Sequence, residues 1–164
     1  MRFNVSHLVK APIGARDVVH LSVGTVTLSA DLVLHYLHGD IAFTRTSNGL
    51  LAEGQLDTEL DSECVRCLTT IPLSFTFQLE DLIFALPQAP PRVSEYRITE
   101  HGWVDTTQAL REQILLNIPL SSLCRPDCRG LCIQCGQDLN VGTCGCEEQT
   151  VDPRLMKLRD LFQQ

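Results

Sequence analysis

The sequence predicts an α+β fold: an antiparallel sheet, open or barrel-like, with two or more short helices and a cysteine-rich C-terminal tail. Three observations predict it. Between about residues 31 and 84, apolar β-formers alternate with polar residues and are broken by turn signals. Helix-start signals follow that stretch, at Asp105 and at Asp152-Pro153. Of the eight cysteines, six fall between Cys124 and Cys146, downstream of a Cys64-x2-Cys67 pair in strand-like sequence.

In chain order, the N-terminal third shows only a loose pattern of strands. From Asp31 the extended region carries turn signals at Leu37-His38-Gly39-Asp40 and Ser47-Asn48-Gly49. The clearest strand puts Leu56, Thr58, Leu60, Ser62 and Cys64 on one face and Asp57, Glu59, Asp61 and Glu63 on the other, the period of a half-buried strand. Leu73, Phe75, Phe77 and Leu79 repeat that period after a turn at Leu68-Thr69-Thr70, so Cys64-Val65-Arg66-Cys67 becomes a hairpin tip. Pro87 to Pro91 is read as an exposed loop, because proline cannot continue a ladder. A helix is expected from Asp105, as cap with Gln108 as its capping-box partner, to about Asn117, ended by Pro119. Its apolar stripe is Leu110, Ile114 and one of Leu115 or Leu116. A last helix opens at Asp152-Pro153 and carries Leu155, Leu158 and Phe162 on one face. The 164 residues divide into a β-rich domain over 1–120 and a cysteine-rich segment over 121–164 packed on it.

Composition narrows the function. No apolar run approaches the roughly 18 residues of a membrane span, and the start lacks the features of a secretory signal, so we expect a cytoplasmic protein. The net charge of −7 leaves no basic patch, which disfavours broad non-specific nucleic-acid binding. The acidic strand row suits a basic partner. Phosphate-binding glycine loops, nucleophile elbows and His-Glu-x-x-His helices are missing from the sequence, so neither a catalytic residue nor a small-molecule substrate is expected. His35 and His38 sit near a turn and read as surface histidines.

In a reducing compartment, closely spaced thiols are metal ligands or redox groups rather than disulfides. Cys132-Ile133-Gln134-Cys135-Gly136 has the form of a zinc knuckle, whose glycine lets backbone N–H groups turn toward the thiolates, and Cys144-Gly145-Cys146 closes the set. We expect one zinc on Cys132, Cys135, Cys144 and Cys146. The remaining Cys64, Cys67, Cys124 and Cys128 form a candidate second site that would staple the tail to the sheet. Four thiolates leave zinc no open position for water, so such metals are structural. The rival is a thiol redox or iron–sulfur protein using Cys64 and Cys67. Cys128-x3-Cys132-x2-Cys135 also has the spacing of the cluster triad in radical enzymes that use S-adenosylmethionine, but only 29 residues follow it, far short of a barrel's roughly 200.

Five stretches occur in order: Cys64-Val65-Arg66-Cys67-Leu68, Arg111 to Leu120, Leu123 to Cys132, Cys135-Gly136-Gln137-Asp138-Leu139-Asn140, and Asp152-Pro153-Arg154-Leu155. As a set they resemble the bacterial and plastid YceD family, the large ribosomal RNA subunit accumulation proteins. The resemblance implies a role in synthesis, processing or stable accumulation of large-subunit ribosomal RNA. The expected partners are then a ribosomal protein, a maturation factor or the ribosomal RNA precursor.

Overall fold

The structure is a computed structural model that describes residues 1–146; the helix expected at Asp152 lies outside the described residues. The order of elements is β1 (Arg2–Asn4), α1 (Ser6–Lys10), β2 (Arg16–Val23), β3 (Val26–Ser29), β4 (Leu32–Arg45), β5 (Gly49–Glu63), β6 (Thr70–Ala85), β7 (Trp103–Asp105) and α2 (Thr107–Asn117). The main sheet runs β2-β4-β5-β6, with β3 also paired to β4, and its pairings are antiparallel. β1 and β7 form a separate antiparallel ribbon. The sheet is open rather than barrel-like, because β2 and β6 end it without pairing to each other.

The β5–β6 hairpin follows from alternation. Leu56 pairs with Phe77 and Leu60 with Leu73 on the inner face, while Asp57 pairs with Thr76 and Glu59 with Ser74 on the outer face. Leu56, Thr58 and Leu60 are buried, Asp57, Asp61 and Glu63 exposed. Inner-face Phe43, Leu50 and Phe84 join Val5, Leu8, Val104, Leu110 and Ile114 in one core. Phe43 and Phe84 meet at 6.2 Å between ring centroids, within the range of favourable tilted aromatic pairs.

Four local expectations differ from the structure. Gly39 lies inside the 14-residue β4 rather than in a turn. Its φ is +133°, and a Cβ there would meet the Gln55 carbonyl oxygen at 2.2 Å, so glycine permits close strand approach without reversing the chain. Consequently His35 and His38 also sit within β4, not at a strand end. The α2 stripe consists of Ala109, Leu110 and Ile114, whereas Leu115 and Leu116 are exposed. Gln108 does not complete a capping box: its amide donates to Glu112, while the Asp105 carboxylate accepts the Thr107 backbone N–H at 3.0 Å from one position outside the cap residue Thr106.

The chain between β6 and β7 is tied down despite its prolines. Arg97 donates to the carbonyls of Leu86 and Ala89, at 3.2 and 2.8 Å. α2 packs against β3 and β6, and Arg111 reaches from it to the Ser29 hydroxyl at 3.0 Å and to the Asp31 carboxylate. The chain leaving α2 then reaches the β5–β6 tip, where the Ser122 carbonyl accepts the Val65 N–H.

Candidate metal centres

The tip of the β5–β6 hairpin is built to present sulfur. The Cys64 N–H donates to the Thr69 carbonyl at 2.9 Å and the Leu68 N–H to the Cys64 carbonyl at 2.9 Å, closing a tight loop in which Leu68 takes a positive φ of 60°. The segment leaving α2 docks on this loop: the Val65 N–H donates to the Ser122 carbonyl at 3.0 Å, and Arg66 Nη1 to the Cys128 carbonyl at 2.7 Å. The Sγ atoms of Cys64, Cys67, Cys124 and Cys128 then lie within 4.8 Å of one another. The Cys64–Cys128 and Cys67–Cys124 separations are 3.8 and 3.6 Å. A tetrahedron of thiolates about 2.3 Å from zinc has edges of about 3.8 Å, so these four sulfurs fit the ion. Cys64, Cys67 and Cys128 are buried and Cys124 exposed.

A second group forms immediately downstream. Cys132 N–H donates to the Gln137 carbonyl and Gly136 N–H to the Cys132 carbonyl, each at 2.8 Å. Gly136, at a φ of +74°, turns the backbone as a knuckle requires. The Sγ atoms of Cys132, Cys135, Cys144 and Cys146 also lie within 4.8 Å of one another, but this group is half-exposed, with Cys135 fully at the surface. Two strand-like contacts join the groups: Leu131 N–H to the Arg66 carbonyl at 3.0 Å, and Leu139 N–H to the Gly130 carbonyl at 2.9 Å.

The electrostatics of both groups suit a cation. The backbone N–H groups of Cys124 and then Cys67 hold the Cys64 thiol down to about 6, and those of Cys135 and Gln134 do the same for Cys132. Desolvation, with the neighbouring thiols, pushes Cys124 up to about 12, and the Cys135 thiol heads the causes that push Cys146 up to about 12. In each quartet one thiolate forms readily and another is strongly opposed. A divalent ion at the centre would remove that opposition, because thiolates are the form that binds.

One residue of this region was not singled out in the sequence. Asn140 lies between the two groups: its Nδ2 donates to Cys128 Sγ at 3.5 Å, and its Oδ1 accepts the Arg129 backbone N–H and an Arg125 Nη2, both at 2.8 Å. The signal available was the Asp138-Leu139-Asn140 turn chemistry, and Asp138 Oδ1 does accept the Asn140 N–H at 2.8 Å. Elsewhere, the outer acidic row is partly engaged. His35 lies 3.0 Å from Glu59 and 3.3 Å from Asp61, and the first of these contacts leads in raising its pKa. Among the described residues no helix is long and apolar enough to cross a membrane.

Fold and site together define an α+β protein that gathers eight cysteines into two groups of four. Residues 52–162 match the sequence model of the family described as large ribosomal RNA subunit accumulation protein YceD, and the chain belongs to that family. An uncharacterised protein of Mycobacterium leprae (strain TN) is 32% identical over 127 residues, which cover 75% of this chain and 58% of that protein. The chloroplastic large ribosomal RNA subunit accumulation protein YCED homolog 1 of Zea mays is 37% identical over 60 residues, 36% of this chain and 20% of that protein. The uncharacterised protein YlbN of Bacillus subtilis (strain 168) is 29% identical over 102 residues, 62% of this chain and 59% of that protein. The chain thus matches less than two thirds of the length of these relatives. No solved structure matches the chain.

Proposed function

We propose that this protein is a non-enzymatic, cytoplasmic factor that holds two structural zinc ions, one on Cys64, Cys67, Cys124 and Cys128 and one on Cys132, Cys135, Cys144 and Cys146. Through a ribosomal protein, a maturation factor or the ribosomal RNA precursor, it supports accumulation of large-subunit ribosomal RNA. The metal reading rests on the gathering of two remote cysteine pairs into one thiol quartet, with sulfur separations of 3.6 and 3.8 Å that suit a tetrahedral ion. Bound zinc would supply a cross-link, fastening the chain that follows α2 to the tip of the β5–β6 hairpin. The ribosomal RNA reading rests on family membership.

Burial supports a structural role over a redox one. Cys64 is fully buried and Cys67 nearly so, which leaves an incoming disulfide no approach, and neither stands at the start of a helix that would activate it. The outer face of β5, with Asp57, Glu59, Asp61 and Glu63, supports a basic protein partner, since complementary potentials speed and orient association. A pull-down with the zinc-loaded protein is expected to recover large-subunit components, and Asp57→Lys with Asp61→Lys to weaken recovery. Recovery without any ribosomal component, or recovery indifferent to those reversals, contradicts the reading.

A further inference from the structure

The molecule has one tryptophan, and its placement is unusual for so large an apolar side chain. Trp103 is 43% exposed. Its backbone is nevertheless pinned. The Trp103 backbone N–H donates to the Thr99 hydroxyl at 3.0 Å, and the Thr99 N–H donates to the Trp103 carbonyl at 2.9 Å. The intervening Gly102, at a φ of +75°, presses so closely on Ser6 that a Cβ there would stand 2.6 Å from the Ser6 Cα, and its carbonyl accepts the Val5 N–H at 2.8 Å. This loop is clamped to the start of α1.

Two cavities flank the loop and share Thr99 and His101. One, of about 420 Å³, is lined by Arg2, Thr99, His101, Trp103 and Asp105. The other, of about 380 Å³, includes Ser6, Lys10 and Glu100. Together they make an open groove with an indole toward one end and Lys10 toward the other. Arg2 gives its Nε to Asp105 at 3.0 Å, which orients the guanidinium and leaves its Nη groups for a further acceptor. Lys10 is exposed and forms no ion pair with a described residue. In a chain of net charge −7, an exposed indole in a groove that also holds two cations is a distinctive combination.

We propose that this groove is a contact for single-stranded RNA, in which one base stacks on the Trp103 indole and the neighbouring phosphates meet Arg2 and Lys10. Stacking on a flat aromatic face is open to every base, and the two cations of the groove suit a phosphate chain better than a neutral peptide. Asp105 and Glu100 oppose a long phosphate track, so the contact takes one or two nucleotides. It is a local anchor, compatible with the absence of a basic patch. The choice of RNA rests on the ribosomal RNA reading above, whereas the groove itself does not depend on the metal centres.

Because Trp103 is the only tryptophan, its fluorescence reports on the groove alone. Titration of the full chain with an eight-nucleotide single-stranded RNA is expected to give saturable quenching. Added salt is expected to weaken it with a slope of about −0.7 per phosphate neutralised, so roughly −0.7 to −1.4. Lys10→Glu is expected to reduce affinity about tenfold. With labelled RNA, Trp103→Ala is expected to bind roughly 5- to 150-fold more weakly, the span covered by loss of one base–aromatic stack, while Trp103→Phe retains most of the affinity. Circular dichroism distinguishes a folded variant from an unfolded one. Absence of saturable quenching, quenching indifferent to salt and to Lys10→Glu, or quenching by ribosomal protein peptides but not RNA overturns the proposal. None of these outcomes bears on zinc content, so they leave the metal reading to its own test.

Discussion

The two cysteine quartets share a ligand set and differ in everything around it. The first joins a hairpin tip to a segment about 60 residues away in sequence, with three of its four sulfurs buried. The second is local, spanning Cys132 to Cys146, and half-exposed. An ion in the first would close a long loop and hold α2's exit against the sheet; one in the second would order a short excursion. Equal coordination therefore does not mean equal consequence: the sequence separation that a site bridges, and the solvent it excludes, decide how much of the fold depends on it.

The largest expected effect comes from breaking the first quartet. Cys64→Ser is expected to lower the melting temperature by roughly 10–20 °C and to remove one zinc, whereas Cys144→Ser removes the other with a drop of less than about 4 °C. Thermal denaturation paired with elemental analysis reads both. Equal drops would erase the distinction between the quartets.

Asn140→Ala should act across the boundary. It removes the donor to Cys128 Sγ and the acceptor for Arg129, so zinc affinity at the first site is expected to fall roughly 10- to 100-fold, as for other outer partners of metal ligands. Competition with a chromogenic chelator measures it. In the unsubstituted protein the same chelator is expected to empty the second site first, at least about tenfold faster, because its sulfurs are open to solvent.

Acid separates the metal centres from the scaffold. Hydrogen bonds from Arg111 and then Ser29 hold Asp31 down to about 2, and the Thr107 hydroxyl, its backbone N–H and Arg2 hold Asp105 below the ordinary carboxylate range. Both pKa values are lower folded than unfolded. Their stabilisation is present above about pH 4 and is lost as pH falls through the depressed values. Protons compete for thiolates at higher pH, so zinc should leave before the α2 contacts fail. Zinc release and far-ultraviolet circular dichroism, followed across one acid titration, are expected to show two separate steps.

How much of this was legible in the sequence depended on range. The β5–β6 hairpin could be read because strict alternation over Leu56 to Cys64 and Leu73 to Leu79 fixes face and period without any partner. The span of α2 was legible from the start signal at Asp105 and the stop at Pro119. Gly39 misled, because a glycine that lets two strands approach has the same signature as one that turns a chain. The ribbon of β1 and β7 was hidden: three residues show no period, and Phe3 finds Val104 about 100 positions away. The Cys132, Cys135, Cys144 and Cys146 group was expected from spacing and the other only as a candidate made of the remaining thiols, while the role of Asn140 was not seen, since it depends on where two loops meet.

The central claim is tested most directly by metal content on protein purified without added metal, with an absorbance spectrum beside it. The account predicts two zinc ions per chain and no visible colour, with the Cys64→Ser and Cys144→Ser variants each retaining one. Iron with sulfide and absorbance near 400 nm, or protein whose melting temperature is unchanged when its metal is removed, would contradict it.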